Sequence, residues 1–409
     1  MGRLFRGLFP LHLVAAGDRR WLLLMWVVGA LQGFAQAPLS TLVPYTRVTL
    51  GLSAGAMSLV LAITRLASLG SIGFSWWADR TGRRRPFLSA YLVLALASGL
   101  TAMAVTPLQF TLTQALARVG TTAVGTLAVV LITEGLDRRV RAFAVGLYAA
   151  AASLGAGIGQ LMLPIAAARP EGWRVAFALP LVGLLALPWL RSIRESPLVD
   201  PSNRVTVPLS SLLLGLHRRK FWVAGAAALL AASFPAVGLA FTTERLVNEL
   251  GMTAGQATTI ALTAGTLGGS GFWIGGRLAD EWGRRPTTIL SLAAATVGGL
   301  VLYSSDDPRV VFAALAVGGF GSFAYVPAAS THRAELFPTD VRATGGTGNA
   351  YLATVGSAVG LTTGALTIDR IGLFGTMALL AIPMVLAAML TLLLPETRGQ
   401  PLDSTNSRR

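Results

Sequence analysis

Asp79, Gly82, Arg83 and Arg84 stand in the stretch SWWADRTGRR (75–84). Asp280, Gly283, Arg284 and Arg285 keep the same spacing in GRLADEWGRR (276–285), 201 residues later. A carboxylate, a glycine turn and paired guanidinium groups at this spacing suit charge-assisted hydrogen bonding. The carboxylate can also face the positive N-terminus of a neighbouring helix. The repeat continues further along the chain. Glu134 and Arg141 in EGLDRRVRA match Glu335 and Arg342 in ELFPTDVRA, again 201 apart, and LGLSAG (50–55) matches LGMTAG (250–255). The chemistry this pattern suits is the making and breaking of ion pairs at helix ends.

Two further cations lie where charge is costly. Arg65 in LAITRLASLG and Arg118 in QALARVGTTAVG fall near the middle of long apolar runs. Inserting an arginine at a bilayer centre costs about 2.5–3.5 kcal/mol. Each therefore needs a partner, a wet cavity or a function. The planar guanidinium fork fits carboxylate or phosphate. No acid occupies a matching mid-run position. Glu244, in FTTERL beside Arg245, reads as half of a surface ion pair at a helix end. Gln32 and Gln36 are four residues apart, so a helix puts them on one face. Tyr148, Gln160, Tyr325 and Asn349 complete the polar side chains suited to lining a cavity. Packing alone also accounts for each of them.

The elements that must hold these residues follow from composition. Of 409 residues, 53% are hydrophobic and only 12% charged, with mean hydropathy +0.64. Soluble domains carry about 25% charged residues. Apolar runs of bilayer-spanning length recur throughout. Twelve spans are expected, at 21–43, 55–77, 86–105, 108–133, 141–164, 174–190, 221–243, 255–278, 286–304, 309–331, 344–366 and 371–394. An N-terminal segment (1–20), a six-helix half (21–190), a central linker (191–220), a second six-helix half (221–394) and a tail (395–409) follow. The expected fold class is an all-α membrane protein of two pseudo-symmetric halves. Alternating ten-residue strands are absent, which disfavours a transmembrane barrel.

Charge orients the chain. With twelve spans, 25 of the 33 basic residues fall on the side of the termini and the central linker, and six on the other. Both termini are therefore expected in the cytoplasm. The net charge of +15 comes from short loops, which disfavours nucleic acid as a partner. There is no cysteine, the three histidines lie far apart, and Lys220, the only lysine, is not in a phosphate-loop motif. No metal, cofactor or ATPase module is expected, nor an enzymatic activity.

The two Asp–Gly–Arg stretches, the Glu/Arg pairs, RESP (194–197), PETRG (395–399) and ELFPTDVRATG together resemble the major facilitator superfamily. Within it they are most similar to a branch of sugar porters and metabolite–proton symporters. The second stretch fits the family's loop motif apart from Glu281; the first departs at Ser75 and Trp77. The resemblance implies a secondary transporter working by alternating access, with the repeated charges as a cytoplasmic latch. It also matches Arg118 to an arginine that many proton-coupled members carry. A small polar metabolite, in particular an organic anion, is the expected substrate, in a bacterial plasma membrane. Protons stand as a possible coupling ion and the lipid bilayer as surroundings, and a monomer is expected. Two alternatives stay open: a drug or metabolite efflux antiporter, and a membrane sensor that binds without transporting.

Overall fold

In a computed structural model the structure describes residues 16–136, 141–191, 193, 195, 218–337 and 342–398. Long apolar runs fold as helices because a helix satisfies its own backbone groups where water is absent. The chain is a multi-pass helical membrane protein, with no strand among the described residues. Its helices are α1 (Ala16–Gln36), α2 (Ala54–Thr81), α3 (Arg84–Ala102), α4 (Pro107–Gly135), α5 (Arg141–Gln160) and α6 (Trp173–Leu190). After the linker come α7 (Arg218–Glu244), α8 in two pieces, Ala254–Gly269 and Gly271–Trp282, α9 (Arg284–Ser304) and α10 (Pro308–Glu335). The last run, Arg342–Leu392, is interrupted at Gly372, whose φ is 73°. It therefore forms two helices, α11 (342–371) and α12 (373–392). Among the described residues, ten helical runs are long and apolar enough to cross a membrane. The twelve expected spans reduce to ten because α8 is broken at Ser270 and α11 runs into α12.

The chain forms two compact units, Met1–Gly51 with Ala67–Arg204, and Leu52–Leu66 with Val205–Arg409. Helix α2 is thus shared: its first turns pack with the second unit. In the first unit α1 packs on α5 and α3 on α4; in the second, α7 packs on α11 and α9 on α10. Glycines permit these crossings. A Cβ at Gly155 would lie 1.9 Å from the Ala30 carbonyl oxygen, and one at Gly356, 201 residues on, 1.9 Å from that of Leu229. Such contacts admit only glycine, which fits small-residue packing between membrane helices. Around them, Val28, Phe87, Tyr91, Leu94, Val124 and Ile132 form the core of the first unit. Phe221, Leu336, Phe337 and Leu394 bury a cluster in the second.

Candidate functional site

Four of the polar residues singled out in the sequence meet inside the first unit. Arg118 on α4 donates from Nη1 to Gln36 Oε1 of α1 at 3.3 Å. Gln32, one turn before Gln36, donates to the Thr121 carbonyl oxygen at 3.4 Å. It accepts from the Tyr148 hydroxyl of α5 at 3.3 Å. The i, i+4 spacing puts both amides on the α1 face that turns to α4 and α5. Tyr148 is buried, and the Arg118 side chain is half-buried. Gln160 stands apart, accepting from Thr41 Oγ1 at 2.7 Å. The arrangement offers a guanidinium, two amides and a phenol along three helices, a set that can bind an oxyanion or a polar metabolite.

The remaining predicted substrate-site residues belong to the second unit. Arg65, on the part of α2 that packs there, is half-buried. Tyr325 on α10 receives a hydrogen bond from Arg333 Nη1 at 3.3 Å. Asn349 on α11 is fully buried, and neither polar atom of its side chain has a hydrogen-bond partner among the described residues. It lies against Gly225, where a Cβ would come within 2.9 Å of its Oδ1.

The repeated charges form one constellation in each unit. Arg83 donates to Glu134 from Nε and from Nη2, both at 3.3 Å, and to Asp79 Oδ1 from Nη1 at 2.7 Å. Arg284 does the same with Glu335, from Nε and Nη2 at 3.2 Å, and with Asp280 through Nη1. Each arginine thus ties the end of one helix, through its aspartate, to the end of another, through its glutamate. The glycines make the turns. Gly82 has φ 100° and Gly283 φ 118°, a region that side-chain-bearing residues rarely adopt. The Arg141 and Arg342 side chains lie outside the described part of the structure.

Two carboxylates that sequence reasoning had not singled out complete the constellations. Glu195, of RESP, accepts the backbone N–H of Arg83 at 2.6 Å and of Arg84 at 3.2 Å. Glu396, of PETRG, accepts those of Arg284 and Arg285, both at 2.9 Å. The two carboxylates cap the N-termini of α3 and α9, where backbone donors are otherwise unsatisfied. Burial pushes the Glu396 carboxyl up, but the N–H groups of Arg285, Arg398, Arg284 and Thr397 outweigh it and hold it below the usual range. Thr397 also donates to Glu335 Oε2 at 2.6 Å. The signal was present: Glu195 and Glu396 are themselves 201 residues apart.

Glu244 corrects an expectation. It is 3% exposed and accepts from Asn248 Nδ2 at 2.9 Å. Arg245 turns to Glu249 at 2.9 Å and to Asp306 at 2.8 Å. The pair read from adjacency fails because consecutive side chains on a helix do not face each other; after Glu244 the chain continues in a π-helical turn, Arg245–Glu249.

The two constellations at one sequence offset, on a multi-pass helical frame, point to a single family, and its profile matches residues 25–303 and 236–409. The chain belongs to the Major Facilitator Superfamily. It is 26% identical to a probable 4-methylmuconolactone transporter of Cupriavidus pinatubonensis, covering 92% of this chain and 90% of the relative. It is 27% identical to a putative metabolite transport protein of Haemophilus influenzae, covering 82% of this chain and 86% of that one. Among solved structures, an inward-facing bacterial homologue of the human lysosomal transporter Spinster superposes with TM-score 0.78 at 17% identity, covering 93% of this chain and 97% of its own. The inward-open xylose transporter of E. coli superposes with TM-score 0.72 at 18% identity, covering 94% and 98%. These last two likenesses concern the fold.

Proposed function

We propose that this superfamily member is a secondary active transporter that moves a small polar metabolite, an organic anion, across a bacterial plasma membrane. The observation that carries the reading is the hydrogen-bonded group of Arg118, Gln36, Gln32 and Tyr148 on α1, α4 and α5. A cation in a membrane-spanning helix is costly to keep. An anion that exchanges on it would offset that cost, and the neighbouring amides and phenol would orient the rest of the molecule. The relatives named for metabolites, one of them for a small lactone, support the class. Proton coupling is part of the proposal, and helix α1 carries no carboxylate within the cluster to relay the proton. The constellations of Arg83 and Arg284 lie at the cytoplasmic end in this reading, because the basic loops gather there.

The test is ligand affinity across a panel of small carboxylates and their neutral amide counterparts. Binding is measured for wild type and Arg118→Lys in detergent or nanodiscs. Hydrogen bonds to a charged group contribute about 1.5–3 kcal/mol. Arg118→Lys is expected to weaken the carboxylate by roughly tenfold or more, the equivalent of ~1.4 kcal/mol. The neutral counterpart is expected to change little. Equal loss, or no loss, for both classes would remove the anion from the proposal and favour the efflux reading, with a neutral or cationic compound.

A further inference from the structure

The two repeats differ at the start of their second helices. In the second repeat, the N-terminus of α8 caps itself. Thr253 accepts from the Gln256 N–H, and the Gln256 side chain accepts from the Thr253 N–H at 3.0 Å, a reciprocal capping box. In the first repeat, Ser53 occupies the capping position of α2, accepting from the Ala56 N–H at 3.1 Å. Ala56 stands where the box needs Gln, so the return bond cannot form.

A different acceptor reaches this N-terminus from 314 residues away. Asp369, in the last turn of α11, accepts the Gly55 N–H through Oδ1 at 3.0 Å, and the Ser53 hydroxyl through Oδ2. One carboxylate therefore closes the N-terminus of α2. A carboxylate in the last turn of a helix is disfavoured by that helix's own dipole and favoured by the N-terminus of another. Its position is unfavourable for α11 and favourable for α2. The approach is close: a Cβ at Gly55 would fall 2.5 Å from Asp369 Oδ2 and 2.8 Å from the Ala365 carbonyl oxygen. One turn further, Ser58 donates to the Leu361 carbonyl oxygen at 2.7 Å. A Cβ at Gly364 would meet the Ser58 hydroxyl at 2.6 Å. The residue 201 positions before Asp369 is Ala168. The helix with a complete capping box thus has no carboxylate at the corresponding place, and the helix with only half a box has one.

We infer that Asp369 is a releasable clasp for the transport cycle: it caps α2 only while α2 and α11 are together, and so favours the state in which their ends meet. The clasp lies at the opposite end of α2 from the Asp79–Arg83 constellation. The inference rests on the reading of the chain as an alternating-access transporter, in which those ends part. Asp369 acts as a positioning residue and is assigned no contact with substrate. Parting leaves the Gly55 N–H to water and the Ser53 hydroxyl without its acceptor. The α8 N-terminus, with its own box, loses nothing in a corresponding motion.

The experiment uses the full chain in lipid nanodiscs. Because the chain has no cysteine, Leu52→Cys and Ile371→Cys supply one spin-label pair across the clasp. The distance distribution is read by pulsed electron resonance. With Asp369 present, a single short-distance population is expected. Asp369→Ala should raise the long-distance population about tenfold, the sum of a lost cap and a lost charge–dipole interaction. A second variant separates the clasp from plain helix stability. Ala56→Gln in the Asp369→Ala background rebuilds the box of the second repeat within α2. It should return the melting temperature to that of the parent while the long-distance population stays raised. The inference is overturned if Asp369→Ala leaves the distances unchanged, or if Ala56→Gln alone restores the short distance. Neither readout needs a substrate, so a failure of the transport reading leaves a different signature: a clasp that opens in a protein that moves nothing.

Discussion

Arg118 and Glu396 show how single polar groups are set by their surroundings in this chain. Arg118 meets a neutral amide oxygen, that of Gln36, which orients the guanidinium. Glu396 is bound by backbone N–H groups, and its pKa is held down by them despite burial. Its contribution to stability is therefore fully present above the unfolded carboxyl's pKa, about 4.3, and is lost as pH falls through the lower folded value. Thermal unfolding of Glu396→Gln across a pH series should show a lower melting temperature than wild type above about pH 5. The gap should close as the pH drops below 4.3, roughly the ordinary value. A gap that stays constant with pH would show that the carboxyl's charge is not what caps α9. The Arg118 cluster was readable from the sequence because Gln32 and Gln36 sit at helical spacing and a buried cation stands out in an apolar run. The partners of Glu244 and Arg245 are not readable, since neighbours in sequence do not face each other on a helix and the partners Asn248, Glu249 and Asp306 depend on the fold.

At the scale of the element, the turns that precede α3 and α9 are the most constrained pieces. Gly82 and Gly283 have φ near +100° and +118°, and each faces a capping carboxylate. A Cβ at Gly82 would lie 2.8 Å from the Glu195 carboxyl carbon, and one at Gly283 would lie 2.9 Å from Glu396 Oε2. A non-glycine residue held in such a conformation costs about 1–3 kcal/mol, and displacement of the cap adds to it. Gly283→Ala should therefore destabilise the chain by about 2 kcal/mol, read as a drop in melting temperature in detergent. Gly255→Ala, where no atom lies within reach of the added methyl, should leave it near wild type. Equal effects at the two positions would contradict the account. The helices were legible from run length, and the Asp–Gly–Arg turns from their repetition. The break of α8 at Ser270 was not legible, because a polar residue among glycines in an apolar run changes hydropathy little. Asn349 was expected to line a cavity and is instead enclosed at the crossing with α7. Its orientation depends on which face of α11 meets Gly225, and sequence spacing does not decide that.

At the scale of the whole molecule, the 201-residue offset relates the two Arg–Glu–Asp constellations, their capping glutamates and the glycines of the helix crossings. That regularity is legible in the sequence alone and implies two related units. The grouping of Leu52–Leu66 with the second unit was not visible, since it depends on Ser53, Gly55 and Ser58 meeting residues of α11 about 300 positions away. As proposed, the chain moves a small organic anion without nucleotide hydrolysis. Counterflow in proteoliposomes tests it most directly. Vesicles loaded with an excess of the unlabelled carboxylate selected by binding are diluted into a trace of the labelled compound, with no nucleotide present. Transient, saturable accumulation of label is expected, reduced at least tenfold by Arg118→Lys through the loss of a charge-assisted hydrogen bond. Saturable binding of the carboxylate with no accumulation of label would contradict it and would make the chain a sensor built on a transporter fold.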